Sequence, residues 1–61
     1  MSVNYKHYKG GIYTFICAAT HTERDEALII YKNEQEEIFA RPAKMFFGYL
    51  EDGTKRFTLI D

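Results

Sequence analysis

The side chains able to perform covalent chemistry in this 61-residue chain are few, and their spacing limits what they can do. Nucleophilic catalysis would need Cys17 beside a histidine. Cys17 and His21 fall on one face of a single predicted strand, but four residues at about 3.3 Å each separate them by roughly 13 Å. His7 lies on the opposite face in the hairpin predicted below. The spacing argues against a thiol dyad.

A metal site would recruit His7, His21 and Glu23, because two histidines and one carboxylate form a ligand set used by catalytic metals. Thirteen residues separate His7 from His21, so no single turn or strand would bring these two side chains together. Side chains two apart on a strand, such as His21 and Glu23, diverge unless a turn intervenes. We therefore predict no metal, no cofactor and no catalytic residues.

The polar groups of His21, Thr22, Glu23 and Arg41 form a second candidate site. Glu23 can pair with Arg41 in bidentate geometry if their strands are neighbours, which would pin the strand ends around a turn. Alternatively, His21 and Arg41 would bind an anion or the carboxylate end of a peptide. Both interpretations stay open at the level of the sequence.

Aromatic and basic residues suggest a third kind of site. Small barrels bind single-stranded nucleic acid or flat ligands by combining aromatic platforms with scattered cations. The residues for such a surface are Tyr5, Tyr8, Tyr13 and Phe39 with Lys6, Lys9 and Arg41. The same rings are also needed for a core. The candidate ligand-binding residues are therefore Tyr5, His7, Tyr8, Lys9, Tyr13, His21, Glu23 and Arg41.

Composition narrows the class of protein. Apolar residues make up 46% and aromatic residues 16%, with one proline, as in a folded domain. The net charge of −1 argues against a dedicated duplex-DNA binder, which needs a cationic face. A lone cysteine excludes an internal disulfide, and between Ile16 and Ala18 we expect it to be buried. No apolar run is long enough for a membrane span and no signal peptide is visible, so we expect a cytoplasmic location.

The elements that must position these residues are mostly strands of one domain, residues 1–61. Gly10 and Gly11 between two β-prone runs predict a hairpin with a two-residue turn that joins residues 4–9 to Ile12–His21. That turn would place Tyr8 opposite Tyr13. One face would hold Tyr8, Tyr13, Phe15 and Cys17 with Lys6, and the other Tyr5, His7, Ile12 and Ile16.

Three further strands are predicted over 28–32, 38–41 and 56–60. Pro42 ends the strand predicted over 38–41 and suits the start of a short helix. A helix from Arg24 to Ala40 is the alternative, but Asn33–Glu37 offers it no apolar face. The fold expected is a small SH3-like barrel or a strongly bent antiparallel sheet with one short helical turn after Pro42.

Five separated blocks of the sequence also form a known pattern. They are Tyr5-x-His7-Tyr8-Lys9-Gly10-Gly11-x-Tyr13, Ala19-x-His21-Thr22-Glu23, Leu28-Ile29-Ile30-Tyr31, Arg41-Pro42-x-x-Met45-Phe46 and Arg56-Phe57. In this order they resemble the bacterial family known as domain of unknown function 1653. The resemblance implies a small β-barrel-like domain and no particular activity. Phe39 stands where such sequences usually have tryptophan, and the Asn33–Glu37 loop is shorter than theirs.

The sequence thus favours a non-enzymatic binding or interaction module, or alternatively a domain that binds a small ligand or single-stranded nucleic acid on an aromatic and basic face.

The predicted core consists of residues at strand spacing, Leu28, Ile30, Phe57 and Leu59. Truncating Ile30 or Phe57 to alanine should therefore lower the free energy of unfolding by about 2–5 kcal/mol. A short helix cannot bury every apolar residue after Pro42. We therefore expect a homodimer through Met45, Phe46, Phe47 and Tyr49, or through an edge strand.

Overall fold

A computed structural model describes residues 2–60, which form five strands and one short helix. The strands are β1 (Val3–His7), β2 (Ile12–His21), β3 (Glu26–Lys32), β4 (Ile38–Pro42) and β5 (Phe57–Ile60), and the helix is α1 (Ala43–Phe46). Every strand pairing is antiparallel. The region considered for a long helix instead forms β3 and β4, and the short helix after Pro42 is confirmed.

The five strands form one sheet in the order β4-β3-β2-β1-β5, with β4 and β5 at its two edges. The sheet is strongly bent. Tyr31 on β3 and Phe57 on β5 are three strands apart, which in a flat sheet is about 14 Å. Their ring centroids are only 5.6 Å apart. The bend therefore wraps the sheet around its own aromatic side chains, on what we call the inner face.

The first hairpin has a different register from the one predicted. A two-residue type I′ turn needs positive φ at both central residues, but only Gly10 (φ +104°) has one. The turn is instead a three-residue loop, closed by hydrogen bonds from His7 N to Gly11 O and from Gly10 N to His7 O, both 2.8 Å. Tyr5, not Tyr8, therefore lies opposite Tyr13.

The observed register differs from the predicted one by three residues, since Ile12 lies opposite Lys6 instead of Lys9. A shift by an odd number of residues moves every side chain of β1 to the other face of the sheet. Tyr5 and His7 join Tyr13 on the inner face, whereas Lys6, opposite Ile12, lies on the outer face. The predicted division of the hairpin into two faces was therefore wrong for Tyr5, His7 and Lys6. Tyr8 leaves the strand for the loop, where its ring is 44% exposed.

The core is small and almost entirely aromatic. Its buried members are Ile29, Tyr31, Phe46 and Phe57, with Tyr5, Tyr13, Phe15 and Ala43 packed against them. Of the four residues predicted to line the core, Phe57 does so. The prediction was wrong for Leu28, Ile30 and Leu59. In the apolar run Leu28–Tyr31 no alternation selects a face, and the large Tyr31 ring takes the inner side together with Ile29. Leu59, on an edge strand, remains 57% exposed.

A β-bulge in β2 explains where Cys17 lies. Phe15 pairs with Tyr31 and Cys17 with Ile30, so Ile16 is the extra residue. A bulge changes the alternation of side chains and increases the local twist. Cys17 consequently falls on the outer face and is exposed, contrary to the expected burial.

The helix α1 follows Pro42 directly and closes the inner face. Phe46 is fully buried and its ring stacks on Phe57, with centroids 4.2 Å apart and planes 7° apart. Gly48 allows the chain to turn away, since a Cβ there would lie 2.8 Å from the carbonyl oxygen of Lys44. Phe46 is therefore not open to a partner, whereas Met45, Phe47 and Tyr49 are exposed and remain predicted contacts.

Two adjacent isoleucines test the register of β3. Ile29 is 5% exposed on the inner face, and Ile30 is half-buried on the outer face. We expect Ile29→Ala to lower the free energy of unfolding by about 2–5 kcal/mol, because it leaves a cavity in the core, and Ile30→Ala by about 1 kcal/mol. Urea denaturation of both variants measures the difference. Equal losses would contradict the inner-face assignment.

Candidate functional site

The bend of the sheet brings polar and aromatic residues from β1, β2, β4 and two loops together at one rim of the inner face. We call this group the rim site. Its members are His7, Tyr8, Lys9, Tyr13, Phe39, Arg41 and Arg56. Five of them were predicted from the sequence as ligand-binding residues.

Arg41 is the central donor of the rim site. It lies on the inner side of β4, where its Nε donates a 3.3 Å hydrogen bond to the phenol oxygen of Tyr31. Its guanidinium carbon is 5.7 Å from the centroid of the Phe57 ring, a cation–π distance. Within residues 2–60 no carboxylate forms an ion pair with it. Its terminal nitrogens are thus held in place by aromatic groups without a neutralising acid.

His7 packs on the same ring as Arg41, with 4.9 Å between the ring centroids of His7 and Phe57. Its Nδ1 accepts a hydrogen bond of 3.1 Å from the backbone N–H of Lys9, so the neutral ring has its proton on Nε2. Partial burial, followed by the positive charges of Arg41, Lys9 and Arg56, lowers the pKa of His7 from its ordinary value of 6.5. All the charges that shift this pKa are cationic, which indicates a positive potential at the rim.

Four rings form a continuous series across the rim, which we call the aromatic row. Tyr8 lies against His7 at 4.4 Å between centroids, His7 against Tyr13 at 6.1 Å, and Tyr13 against Phe39 at 6.5 Å. Both ends are open, with Tyr8 44% and Phe39 39% exposed. Lys9 Nζ lies 5.8 Å from the centroid of the Tyr8 ring.

The remaining predicted residues do not join the rim site. Tyr5 packs on Phe46 with centroids 5.0 Å apart and belongs to the core boundary. His21 pairs with Glu26 at the far end of β2, and its Nδ1 accepts a 3.2 Å hydrogen bond from Arg24 N. Glu23 follows in the adjoining turn. The predicted pair of Glu23 with Arg41 was wrong, because β3 separates β2 from β4.

Two contributors to the rim site escaped the sequence analysis. Arg56 reaches it because its carbonyl oxygen accepts a 2.9 Å hydrogen bond from Tyr8 N, which extends the pairing of β1 with β5. Tyr31 contributes the phenol that holds Arg41. Both residues stand in blocks of the family pattern, but nothing in those blocks assigns them to a site, since their contribution depends on which strands are neighbours and on how far the sheet bends.

The rim site lies at the surface, where Tyr8 and Phe39 are exposed. Residues 2–60 line no enclosed cavity. In the same part of the chain, no three His, Cys, Asp or Glu side chains come together as metal ligands. The arrangement can donate hydrogen bonds to an anion and offer ring faces for stacking.

Comparison with protein-family models gives a match over residues 3–59, nearly the whole chain. The matching model is described as a protein of unknown function, DUF1653. The chain belongs to the DUF1653 family. Comparisons with curated proteins and with solved structures found no match. DUF1653 membership therefore accords with the resemblance seen in the five sequence blocks, and the family description assigns no activity.

Within residues 2–60, no helix has the length and apolar character needed to cross a membrane.

The depressed pKa of His7 predicts a pH dependence of stability. Between its folded pKa and the ordinary value of 6.5, the unfolded chain binds more protons at this position than the folded protein does. The free energy of unfolding therefore rises with pH in that window and falls as the pH drops below 6.5. We expect His7→Phe, which keeps a ring beside Phe57, to flatten the dependence.

The measurement is the melting temperature of both proteins between about pH 5.5 and about pH 7.5, where His is the side chain that ordinarily titrates. The slope is compared, not the absolute stability, because the variant also loses the hydrogen bond to Lys9 N. Identical slopes in the two proteins would show that His7 has no depressed pKa.

Proposed function

We propose that this chain is a non-enzymatic binding module whose ligand contains an anionic group, held at the rim site by Arg41 and His7. The observation that supports it most strongly is the state of Arg41. An arginine that contacts a phenol and a phenyl ring, and that pairs with no carboxylate of residues 2–60, has unused, oriented N–H donors. Arginine's planar fork suits carboxylate, sulfate and phosphate oxygens.

The charge distribution around Arg41 supports an anion over a cation or a neutral ligand. The groups that lower the pKa of His7 include Arg41 on β4, Lys9 in the first loop and Arg56 immediately before β5. Two acids of the loop before β4 make their contacts near that loop rather than with Arg41. Glu36 pairs with Lys32 at 3.0 Å, and Glu37 accepts a 2.8 Å hydrogen bond from Asn33.

The chemistry of the rim site supports binding over catalysis. It offers N–H donors and ring faces, whereas the thiol of Cys17 lies on the outer face of the sheet. No carboxylate of residues 2–60 pairs with Arg41, and His7 Nδ1 is already occupied by Lys9 N. A general base positioned by a second residue, the usual catalytic arrangement, is not formed here by the described residues.

Addition of sulfate, followed by NMR, tests the proposal. Sulfate does not change its charge near neutral pH, so any pH dependence of its binding comes from the protein and not from protonation of the ligand. Amide resonances of the first loop, of β4 near Arg41 and of Arg56 should shift together. Arg41→Gln should weaken sulfate binding about tenfold, the cost of losing a charge-assisted hydrogen bond. Arg41→Lys should fall in between, since it keeps the charge but not the fork.

Lys6→Gln is the matched control, because Lys6 is one residue from His7 but lies on the outer face. It removes the same net charge and should leave sulfate affinity unchanged. Melting curves identify any variant that fails to fold. Shifts centred elsewhere, or equal effects of Lys6→Gln and Arg41→Gln, would overturn the assignment of the anion to the rim site.

A further inference from the structure

The aromatic row and the open shape of the rim site specify the ligand more narrowly than an anion. We propose that the rim site binds single-stranded nucleic acid, with bases stacked on Tyr8 and Phe39 at the two ends of the aromatic row and phosphates on Lys9, Arg41 and Arg56. This inference rests on the proposed function above. Three observations favour a strand over other anions.

The first observation is the continuity of the rings. Tyr8, His7, Tyr13 and Phe39 follow one another with centroid separations of 4.4 to 6.5 Å, and the two end rings are the most exposed. A single base covers one ring face. Successive planes in the row are inclined by 36°, 70° and 78°, so the rings face different directions. The exposed end rings, Tyr8 and Phe39, lie on different elements and can each accept a base of the same strand, because every base has a face that stacks.

The second observation is the absence of an enclosed cavity among residues 2–60. Sites for mononucleotides and other small molecules are concave and bury most of the ligand. Single-strand binders instead use open surfaces that follow the backbone. The rim site has the latter shape, so its affinity should increase with the length of the strand.

The third observation is the placement of the cations beside the rings. Lys9 lies against Tyr8 at one end, Arg41 lies on β4 two residues beyond Phe39, and Arg56 contributes to the potential at His7 between them. Phosphates alternate with bases along a strand, so cations flanking a series of rings match that repeat. An acidic peptide would satisfy the cations and leave the rings uncovered. A duplex hides its base faces.

The test measures binding of fluorescent oligothymidine and oligouridine by anisotropy, from one nucleotide to about twelve, a range that spans the site of a small barrel. Affinity should rise steeply over about the first four nucleotides and then level off. With three cations on phosphates, the logarithm of the association constant should fall with the logarithm of salt concentration at a slope of about −2. A duplex and an acidic peptide of equal length should bind more weakly.

Matched variants locate the contacts. Tyr8→Leu should weaken binding of the longer strands about tenfold, since stacking on one ring contributes about 1–3 kcal/mol. Tyr49→Leu removes an exposed ring outside the aromatic row and should have no effect. Lys9→Gln should reduce the salt slope by about 0.7, the value for one phosphate on a single strand. Lys6→Gln, on the outer face, should not change it.

The outcomes separate the two proposals. If sulfate binds at Arg41 but oligonucleotides bind no more tightly than a mononucleotide, or no more tightly than the duplex or the peptide, the nucleic-acid inference fails and the anion-binding function stands. Equal effects of Tyr8→Leu and Tyr49→Leu likewise overturn it. If neither sulfate nor any strand binds, both proposals fail.

Discussion

The structure depends on one stacked pair of rings, Phe46 on Phe57. A chain of 61 residues has little surface to bury, and in residues 2–60 the buried side chains are one isoleucine and three aromatics. Phe46 lies in the helix and Phe57 at the start of the last strand, so their contact at 4.2 Å fastens both ends of the segment between them to the sheet. Without it, the inner face would lose its cover.

The bend of the sheet links this core to the rim site. Large rings projecting from one face of a five-stranded sheet can all meet only if the sheet wraps around them, and the bulge at Ile16 adds twist where β2 needs it. The same wrapping brings Arg41 from one edge strand over Phe57 on the other. Packing of the core thus places the Arg41 guanidinium and the His7 ring against the same Phe57 ring, to which the first loop adds Tyr8 and Lys9.

The sequence predicted the elements well and their pairing poorly, for identifiable reasons. β-branched and aromatic runs, the polar turns and Pro42 specified the strands and the short helix. The register of the first hairpin was missed because Gly10-Gly11 is compatible with both a two-residue and a three-residue loop, and backbone φ at Gly11 decides between them. In Leu28–Tyr31 every residue is apolar or aromatic, so only tertiary packing could choose Ile29 and Tyr31 for the core. Arg56 could not be assigned to the site, because its contribution depends on the pairing of β5 with β1.

The unclosed sheet has a consequence for the energetics of binding. Among residues 2–60 no strand pairing joins β4 to β5, and the seam between these two edges is spanned by side chains such as Arg41 on Phe57. A ligand that contacts Arg41 on one side and Lys9 or Arg56 on the other would act as a removable cross-link between them. Its binding energy would then oppose opening of the seam itself, in the way that a disulfide opposes separation of the segments that it joins. The bent sheet would then be closed by its ligand instead of by its backbone.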